Sequence, residues 1–304
     1  MLALRVYAKH PRIFFSSILR EYGFWISDKW YLQMMYYLQV GEKLHLKKPK
    51  TFCEKIQWLK LYDRRPEYSM MVDKYAVKYY VGSIIGEEYI IPTYGVWDKP
   101  DDIDFDNLPR QFVLKTTHGG GGSGVIICKE KALMKREEIL RKLSTALNND
   151  IYKYLREWPY RDVPRRIIAE KYIENTSDRS EDITDYKFYC FNGVPTFCQV
   201  INDRQSKETI DFFDMEWRHQ VFYGLNPFAR PAEAEPVKPT HFTKMKEIAR
   251  QLSVGLIFSR IDLYDTKDRP LFGEISFFPA SGLGSFTPSQ YNHILGEMIK
   301  LPSK

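Results

Sequence analysis

The sequence predicts an α+β protein, with a helical region over residues 1–65 and a mixed body over residues 66–304 that carries a flap subdomain at about 111–172. Three observations predict it. Near the start, apolar residues recur at helical spacings of three and four, whereas beyond residue 90 they gather in short strand-like runs. The glycine run Gly119 to Gly124 lies between two such runs. Two carboxylates, Asp262 and Glu274, each sit inside an apolar segment, where strands alternate with turns.

The helical start rests on Trp30, Tyr31, Met34, Met35 and Leu38, whose spacing puts them on one helix face. Pro49 breaks the pattern. Thr51 then caps a helix, with Glu54 completing a capping box, and that helix carries Ile56, Leu59 and Leu61. A further helix is expected from Ser69 to Val81. Strands follow at Ile90–Pro92, Phe112–Leu114 and Val125–Cys128, with an acidic loop at Asp101–Asn107. A helix at Met134–Leu147 precedes a strand at Ile167–Ala169. The segment from Tyr186 to Ile201 reads as a hairpin turning at Asn192-Gly193. A helix at Thr243–Leu252 and strands at Phe258–Leu263 and Leu271–Ser276 complete the pattern.

Composition narrows the class. With 304 residues, 44% hydrophobic and 28% charged, the chain can bury a sizeable core. A net charge of +6 suits an anionic substrate or a membrane surface, but no concentrated Lys/Arg stripe supports nucleic acid. The four cysteines, Cys53, Cys128, Cys190 and Cys198, form no CxxC pair, which argues against zinc. No apolar run reaches the roughly 18 residues of a membrane span, and no signal peptide is evident. Reduced thiols in a cytoplasm are expected. The segment Arg12 to Trp30 mixes aromatic and basic residues; it either packs on the body as a helix or lies on the inner face of a membrane.

The segment Lys115-Thr116-Thr117-His118-Gly119-Gly120-Gly121-Gly122-Ser123-Gly124 carries most information. Glycines let backbone N–H groups approach an anion closely. A Walker A loop would end in Gly-Lys-Ser or Gly-Lys-Thr, which is absent. A Rossmann loop must open a helix, yet Val125, Ile126 and Ile127 favour strand. A kinase flap would need HRD and DFG downstream, and neither occurs. What survives is a strand–loop–strand flap over phosphates, or a plain flexible turn.

Candidate partners for a triphosphate are present. Lys115 ends an apolar strand beside the flap, and Lys74 lies in the helix expected from Ser69 to Val81. Glu170, Lys171, Tyr172 and Ile173 follow a strand, where backbone groups can read an adenine edge; an ordinary strand end is the alternative. A buried carboxylate needs a cation. Mg²⁺ takes one or two carboxylates together with phosphate oxygens, which suits Asp262 and Glu274; pairing with Arg260 is the competing explanation.

The segments Lys50-Thr51-Phe52-Cys53-Glu54-Lys55-Ile56-Gln57-Trp58-Leu59-Lys60-Leu61, Val72-Asp73-Lys74-Tyr75-Ala76-Val77, Phe112-Val113-Leu114-Lys115, Asp185-Tyr186-Lys187-Phe188-Tyr189 and Glu274-Ile275-Ser276-Phe277 together resemble the ATP-grasp superfamily. Within it they are similar to the TupA-like ATP-grasp family of polysaccharide biosynthesis, from roughly residue 27 to residue 290. The resemblance implies two α+β subdomains gripping ATP, and Mg²⁺-dependent ligation of a carboxylate to an amine through an acyl phosphate. It implies that Lys74 and Lys115 reach phosphates, that Gly119 to Gly124 close over them, and that Glu170 to Ile173 read adenine. It implies that Asp185 binds ribose, Lys187 points at phosphate, and Asp262 and Glu274 hold metal. The third metal position is usually Asn; here it is Ser276, a poorer ligand. The start of the chain also departs, being helical where many relatives have a βαβ domain. Arg204 is a candidate for stabilising the transferring phosphoryl group, and His118 for a phosphate contact or loop support. The implied partners are a uronic acid glycan as carboxylate acceptor and an amino compound as donor. Rival readings are a glycosyltransferase using Asp104-Phe105-Asp106 as a DxD motif, a kinase-like phosphotransferase, and a nucleotide-binding protein without catalysis.

Overall fold

The computed structural model describes residues 11–120, 122, 124–174, 183–202 and 208–302. Helices α1 (Pro11–Tyr22), α2 (Asp28–Val40) and α3 (Phe52–Tyr62) occupy the expected helical start. In α2 the buried residues are Tyr31, Leu32, Met35 and Tyr36, whereas Trp30 and Met34 of the expected buried stripe are exposed. This helix is apolar round more than one face, so spacing alone does not choose which face turns inward. Among the described residues no helix is long and apolar enough to cross a membrane.

The capping box at α3 forms as expected. The Glu54 side chain does more than cap. Its Oε2 accepts from the backbone N–H groups of Lys50 (2.8 Å) and Thr51 (3.0 Å), and its Oε1 accepts from His45 N (3.2 Å). Burial pushes this carboxyl up, but those donors outweigh it and hold it below the ordinary range.

The helix expected over 69–81 is two, α4 (Glu67–Val72) and α5 (Ala76–Ile85). Asp73 separates them. It leaves the helical conformation, and its Oδ1 accepts from the N–H groups of Tyr75 and Ala76. This competition by a short acidic side chain ends one helix and starts the next. The strand expected at Ile90–Pro92 also shifts. β1 runs over Thr93–Trp97, and Ile90 makes only an isolated bridge to Phe272. Pro92 has no N–H to give a ladder.

Two antiparallel sheets form the body. The smaller has order β1–β4–β2–β3, with β2 at Phe112–Thr116, β3 at Val125–Cys128 and β4 at Ile167–Lys171. Its own core joins Phe105, Phe112, Leu114 and Ile167 to Ile139 and Leu143 of α6 (Arg136–Leu147). A short helix, α7 (Ile151–Leu155), follows. The larger sheet has order β10–β9–β5–β6–β7, with β5 at Asp185–Phe191, β6 at Val194–Asn202, β7 at Thr209–Asp214, β9 at Phe258–Asp265 and β10 at Pro270–Ser276. The β5–β6 turn is Asn192-Gly193, both at positive φ (50° and 79°), as a tight hairpin requires. A small pair, β8 (Tyr223–Gly224) with β11 (Phe286–Thr287), flanks it.

Every residue of β5 is buried, which means that both faces are covered. Helix α8 (Phe242–Ser253) covers one, stacking Phe242 on Phe188 at 5.9 Å. The other face changes character along its length. At one end Phe191 and Phe258 pack under Phe52 of α3, whose ring centroid lies 5.2 Å from that of Phe258. At the other end the same face carries Lys187 and Asp185. The first helices therefore share the large sheet's core, which α9 (Tyr291–Met298) completes through Leu295.

Replacing Glu54 by Ala leaves several partly buried N–H groups without an acceptor. Each costs about 1–3 kcal/mol, so urea unfolding followed by circular dichroism is expected to show a loss of that order.

Candidate active site

A cleft of about 1480 Å³ runs between the two sheets and is lined by Val113, Lys115, Glu170, Lys187, Asp262 and Glu274 among others. Its floor is the polar end of the large sheet. Asp262 stands opposite Lys187 on β5 and opposite Glu274 on β10. A register shift at Gly273 makes that second pairing, since Phe272 pairs with Leu263 and Glu274 with Asp262. A Cβ at Gly273 would lie 3.0 Å from the Asp262 carbonyl oxygen, a contact tight enough that the bulge would have to shift to admit a side chain.

These side chains neutralise one another. Lys187 pairs with Asp262, and its Nζ is 3.8 Å from Asp185. Arg260 donates from Nε to Asp262 Oδ1 and from Nη2 to Asp262 Oδ2, both at 2.7 Å. The same Nη2 reaches Glu274 Oε1 at 3.1 Å and Ser276 Oγ at 3.2 Å. Lys74 Nζ donates to Glu274 Oε2 at 3.1 Å and to the Gly119 carbonyl at 2.7 Å. Burial pushes the Glu274 carboxyl up, but Lys74, Arg260 and Lys187 hold it well below the usual carboxylate range. Lys74 is not helical as expected. It follows Asp73 in the break between α4 and α5, and this frees its side chain to cross from the sheet to the flap.

A second charged group forms the roof. Glu170, in β4, is buried between two lysines: Lys115 Nζ lies 2.7 Å from Oε2 and Lys78 Nζ lies 2.5 Å from Oε1. Lys78 also donates to the Ile91 carbonyl at 2.6 Å. Burial raises the Glu170 carboxyl, and the lysines more than reverse it. The two lysines fare differently. Burial lowers Lys115, yet Glu170 carries it above its ordinary value, whereas burial wins at Lys78 and keeps it below. Glu170 is expected to act through its backbone; the structure adds that its carboxylate is paired with two lysines. Glu170, Lys171, Tyr172 and Ile173 of the expected adenine-reading stretch all line the cleft, with the Lys171 N–H bonded to the Pro92 carbonyl at 2.9 Å.

Gly119, Gly120 and Gly122 line the cleft. Gly122 and Gly124 adopt φ of 78° and 80°, which a Cβ would strain. His118 does not line the cleft. It is buried, with Nε2 3.2 Å from the Asn149 carbonyl, and burial lowers its pKa; it supports the flap from beneath. Gly121, Ser123 and Arg204 lie outside the described residues. Asp104 and Asp106 serve local contacts, Asp104 with Asn107 and Asp106 with Arg136, and neither lines the cleft, which removes the support for a DxD motif there.

The far wall holds groups that the sequence reading did not assign. Lys60 of α3 is fully buried and donates to the Leu155 carbonyl (2.9 Å), the Ser281 carbonyl (2.8 Å) and Ser281 Oγ (2.6 Å). Burial pushes its ammonium down to about 8, against the pull of Glu157. Burial raises Glu157 in turn, and Glu157 and Tyr160 line the cleft. Lys60 was visible as a lysine between Leu59 and Leu61 on an apolar helix; nothing around Glu157 marks it. Lys78 was detectable four residues after Lys74, whereas Arg260 is the arginine that the sequence offered as the partner of Asp262 and Glu274, and the structure forms that pairing.

Asp262, Glu274 and Ser276 offer oxygen donors of the kind Mg²⁺ takes, and in this structure the Arg260 guanidinium fills the point between them. Oxygens of Asp262, Glu274 and Ser276 converge within 3.2 Å of a single cationic nitrogen, Arg260 Nη2, so they already face a common point of positive charge. Among the described residues no group of three or more His, Cys, Asp or Glu side chains is placed to hold a metal.

An α+β fold with two antiparallel sheets gripping a charged cleft beneath a glycine flap defines a nucleotide-binding class. The chain belongs to the TupA-like ATP-grasp family, whose model matches residues 54–300. Its fold is the ATP-grasp fold, preceded by helices. No curated protein matches the sequence. Similar solved structures include D-alanine–D-alanine ligase from Bacillus anthracis complexed with ATP, at 16% identity and TM-score 0.41, covering 76% of this chain and 63% of that one. D-alanyl-alanine synthetase A from Vibrio cholerae is similar at 10% identity and TM-score 0.44, over 90% and 69% of the two chains. A RimK domain ATP-grasp protein from Sphaerobacter thermophilus is similar at 12% identity and TM-score 0.41, over 78% and 70%. The chain thus spans less than two thirds of the B. anthracis ligase.

Glu170→Gln removes the charge that both lysines share. Breaking such a buried pair costs about 3–5 kcal/mol, which urea unfolding at neutral pH should register. A depressed carboxylate stabilises the fold fully above its unfolded value, near 4.5, and loses that contribution as pH falls through its lower folded value. The wild type is therefore expected to lose stability more steeply than the variant on acidification below that point. Equal stability at neutral pH would contradict the role given to Glu170.

Proposed function

We propose that this protein is an ATP- and Mg²⁺-dependent carboxylate–amine ligase acting through an acyl phosphate. The observation that carries the reading is the convergence of Asp262, Glu274, Arg260, Lys187 and Lys74 on one floor beneath the glycine flap. Phosphoryl transfer asks chiefly for positioning and for charge placed where it develops. In this reading Lys115 and Lys74 bind phosphate oxygens, with Lys74 also registering the flap through Gly119. Arg260, two residues from Asp262 on the same strand and bonded to both Asp262 and Glu274, would stabilise charge on the transferring phosphoryl group. Lys187 balances Asp262 and Asp185. Asp262 and Glu274, with Ser276 beside them, would hold Mg²⁺, which when bound neutralises phosphate charge.

The acceptor carboxylate attacks the γ-phosphorus and ADP leaves. The amine then attacks the acyl carbon, phosphate leaves, and the amine proton passes to solvent or to phosphate. For substrates we propose a uronic acid of a surface polysaccharide and an amino compound, a choice that rests on the family's association with polysaccharide biosynthesis.

Incubation with ATP, Mg²⁺ and pooled uronic acids and amines is expected to yield ADP together with a new amide mass. Combining Asp262→Asn with Glu274→Gln should lower amide formation on the order of 10²-fold or more. Undiminished amide formation in that variant would sink the proposal, and ADP accompanied by a phosphorylated acceptor without amide would make the protein a phosphotransferase.

A further inference from the structure

We propose that the outer face of α1, α2 and the turn between them docks on an anionic membrane surface. Large apolar side chains stand in solvent there: Trp25 is 76% exposed, Tyr22 and Phe24 66%, Trp30 62% and Phe15 55%. Such a concentration goes beyond the scattered single hydrophobes of ordinary surfaces. The face is structured, because α1 and α2 are fixed from behind by Leu19, Tyr31 and Met35 in the core. Arg12, stacked 5.3 Å over the exposed ring of Tyr37, ties the start of α1 to α2.

Charge selects the occupant. The face itself carries Arg12, Arg20 and Lys29 against Glu21 and Asp28, and the exposed lysines Lys43, Lys47, Lys48 and Lys50 follow α2 in the chain, so that residues 1–50 hold the chain's whole formal net charge of +6 and the remainder is balanced. Of the two acids on the face, Asp28 is spent internally on Arg64 (2.5 Å) and Arg156 (3.3 Å). Tyr and Trp seat at the headgroup level, Phe enters the acyl boundary, and Lys and Arg meet lipid phosphates. A second copy of the same face would oppose like charges, which disfavours self-association. Arg20 of α1 and Gln39 and Val40 of α2 also line the cleft, so docking here sets the cleft beside the lipid surface.

The test uses the full chain with vesicles of phosphatidylcholine alone or mixed with phosphatidylglycerol. Flotation should recover the protein with the anionic vesicles and release it as salt rises. Quenching of tryptophan emission by brominated lipid should accompany binding. The double variant Phe15→Glu, Trp25→Glu should bind at least about tenfold more weakly, with an unchanged circular dichroism spectrum and melting profile. A wild type that ignores anionic vesicles, or a variant that binds them equally, overturns the proposal. So does a wild-type dimer that this variant converts to monomer, since the face would then be a self-interface.

Discussion

The pairing of Arg260 and Lys187 with Asp262, extended through Arg260 to Glu274, is the constraint on which the cleft depends. Carboxylates on a central strand face are costly to bury unless cations meet them at hydrogen-bond distance. The strand order supplies those cations. Because β5 and β10 both flank β9, Asp262 has Lys187 on one side and Glu274 on the other, while Arg260 reaches forward along its own strand. Remove the register shift at Gly273 and Glu274 would turn to the opposite face, which α8 fills with hydrophobic contacts.

The same network joins the two sheets. Lys74 touches Glu274 on the large sheet and the Gly119 carbonyl of the flap, and its backbone N–H bonds the Thr117 carbonyl at 3.0 Å. The small sheet contributes a separate cluster in which one carboxylate, Glu170, lies between two lysines, Lys78 and Lys115. The cations of the cleft are thus held in place by carboxylate partners before any ligand enters.

Much of this was legible in the sequence, because local chemistry decided it. Thr51 with Glu54, Asn192 with Gly193, and a glycine run followed by Val125-Ile126-Ile127 each fix their own geometry. Asp262 and Glu274 announced themselves as charges inside apolar segments. What escaped depended on contacts distant in sequence. Whether Trp30 or Tyr31 faces inward is decided by α1, which spacing within α2 does not encode. His118 lies beside the glycines but bonds Asn149. Glu170 has no local sign of two lysines, one of them on α5. The competition at Asp73 was in principle visible, since a short acid before Lys-Tyr-Ala is a cap signal.

Helix α3 shows why the N-terminal helices belong to the site. Ala280 and Ser281 both adopt the left-handed conformation, at φ of 46° and 55°, which costs non-glycine residues about 1–3 kcal/mol each. That strain persists only where surrounding groups hold it. Lys60 and Gln57 of α3 are those groups. Lys60 binds the Ser281 carbonyl and hydroxyl, and Gln57 Nε2 donates to the carbonyls of Ser281 (2.9 Å) and Gly282 (2.7 Å). The loop they hold follows directly on Glu274 and Ser276 and lines the cleft. A loop carrying orphan carbonyls would otherwise relax toward solvent. Lys60 stays buried because it serves three oxygens at once, so the helix that packs Phe52 against the apolar end of the large sheet also shapes the wall at its polar end.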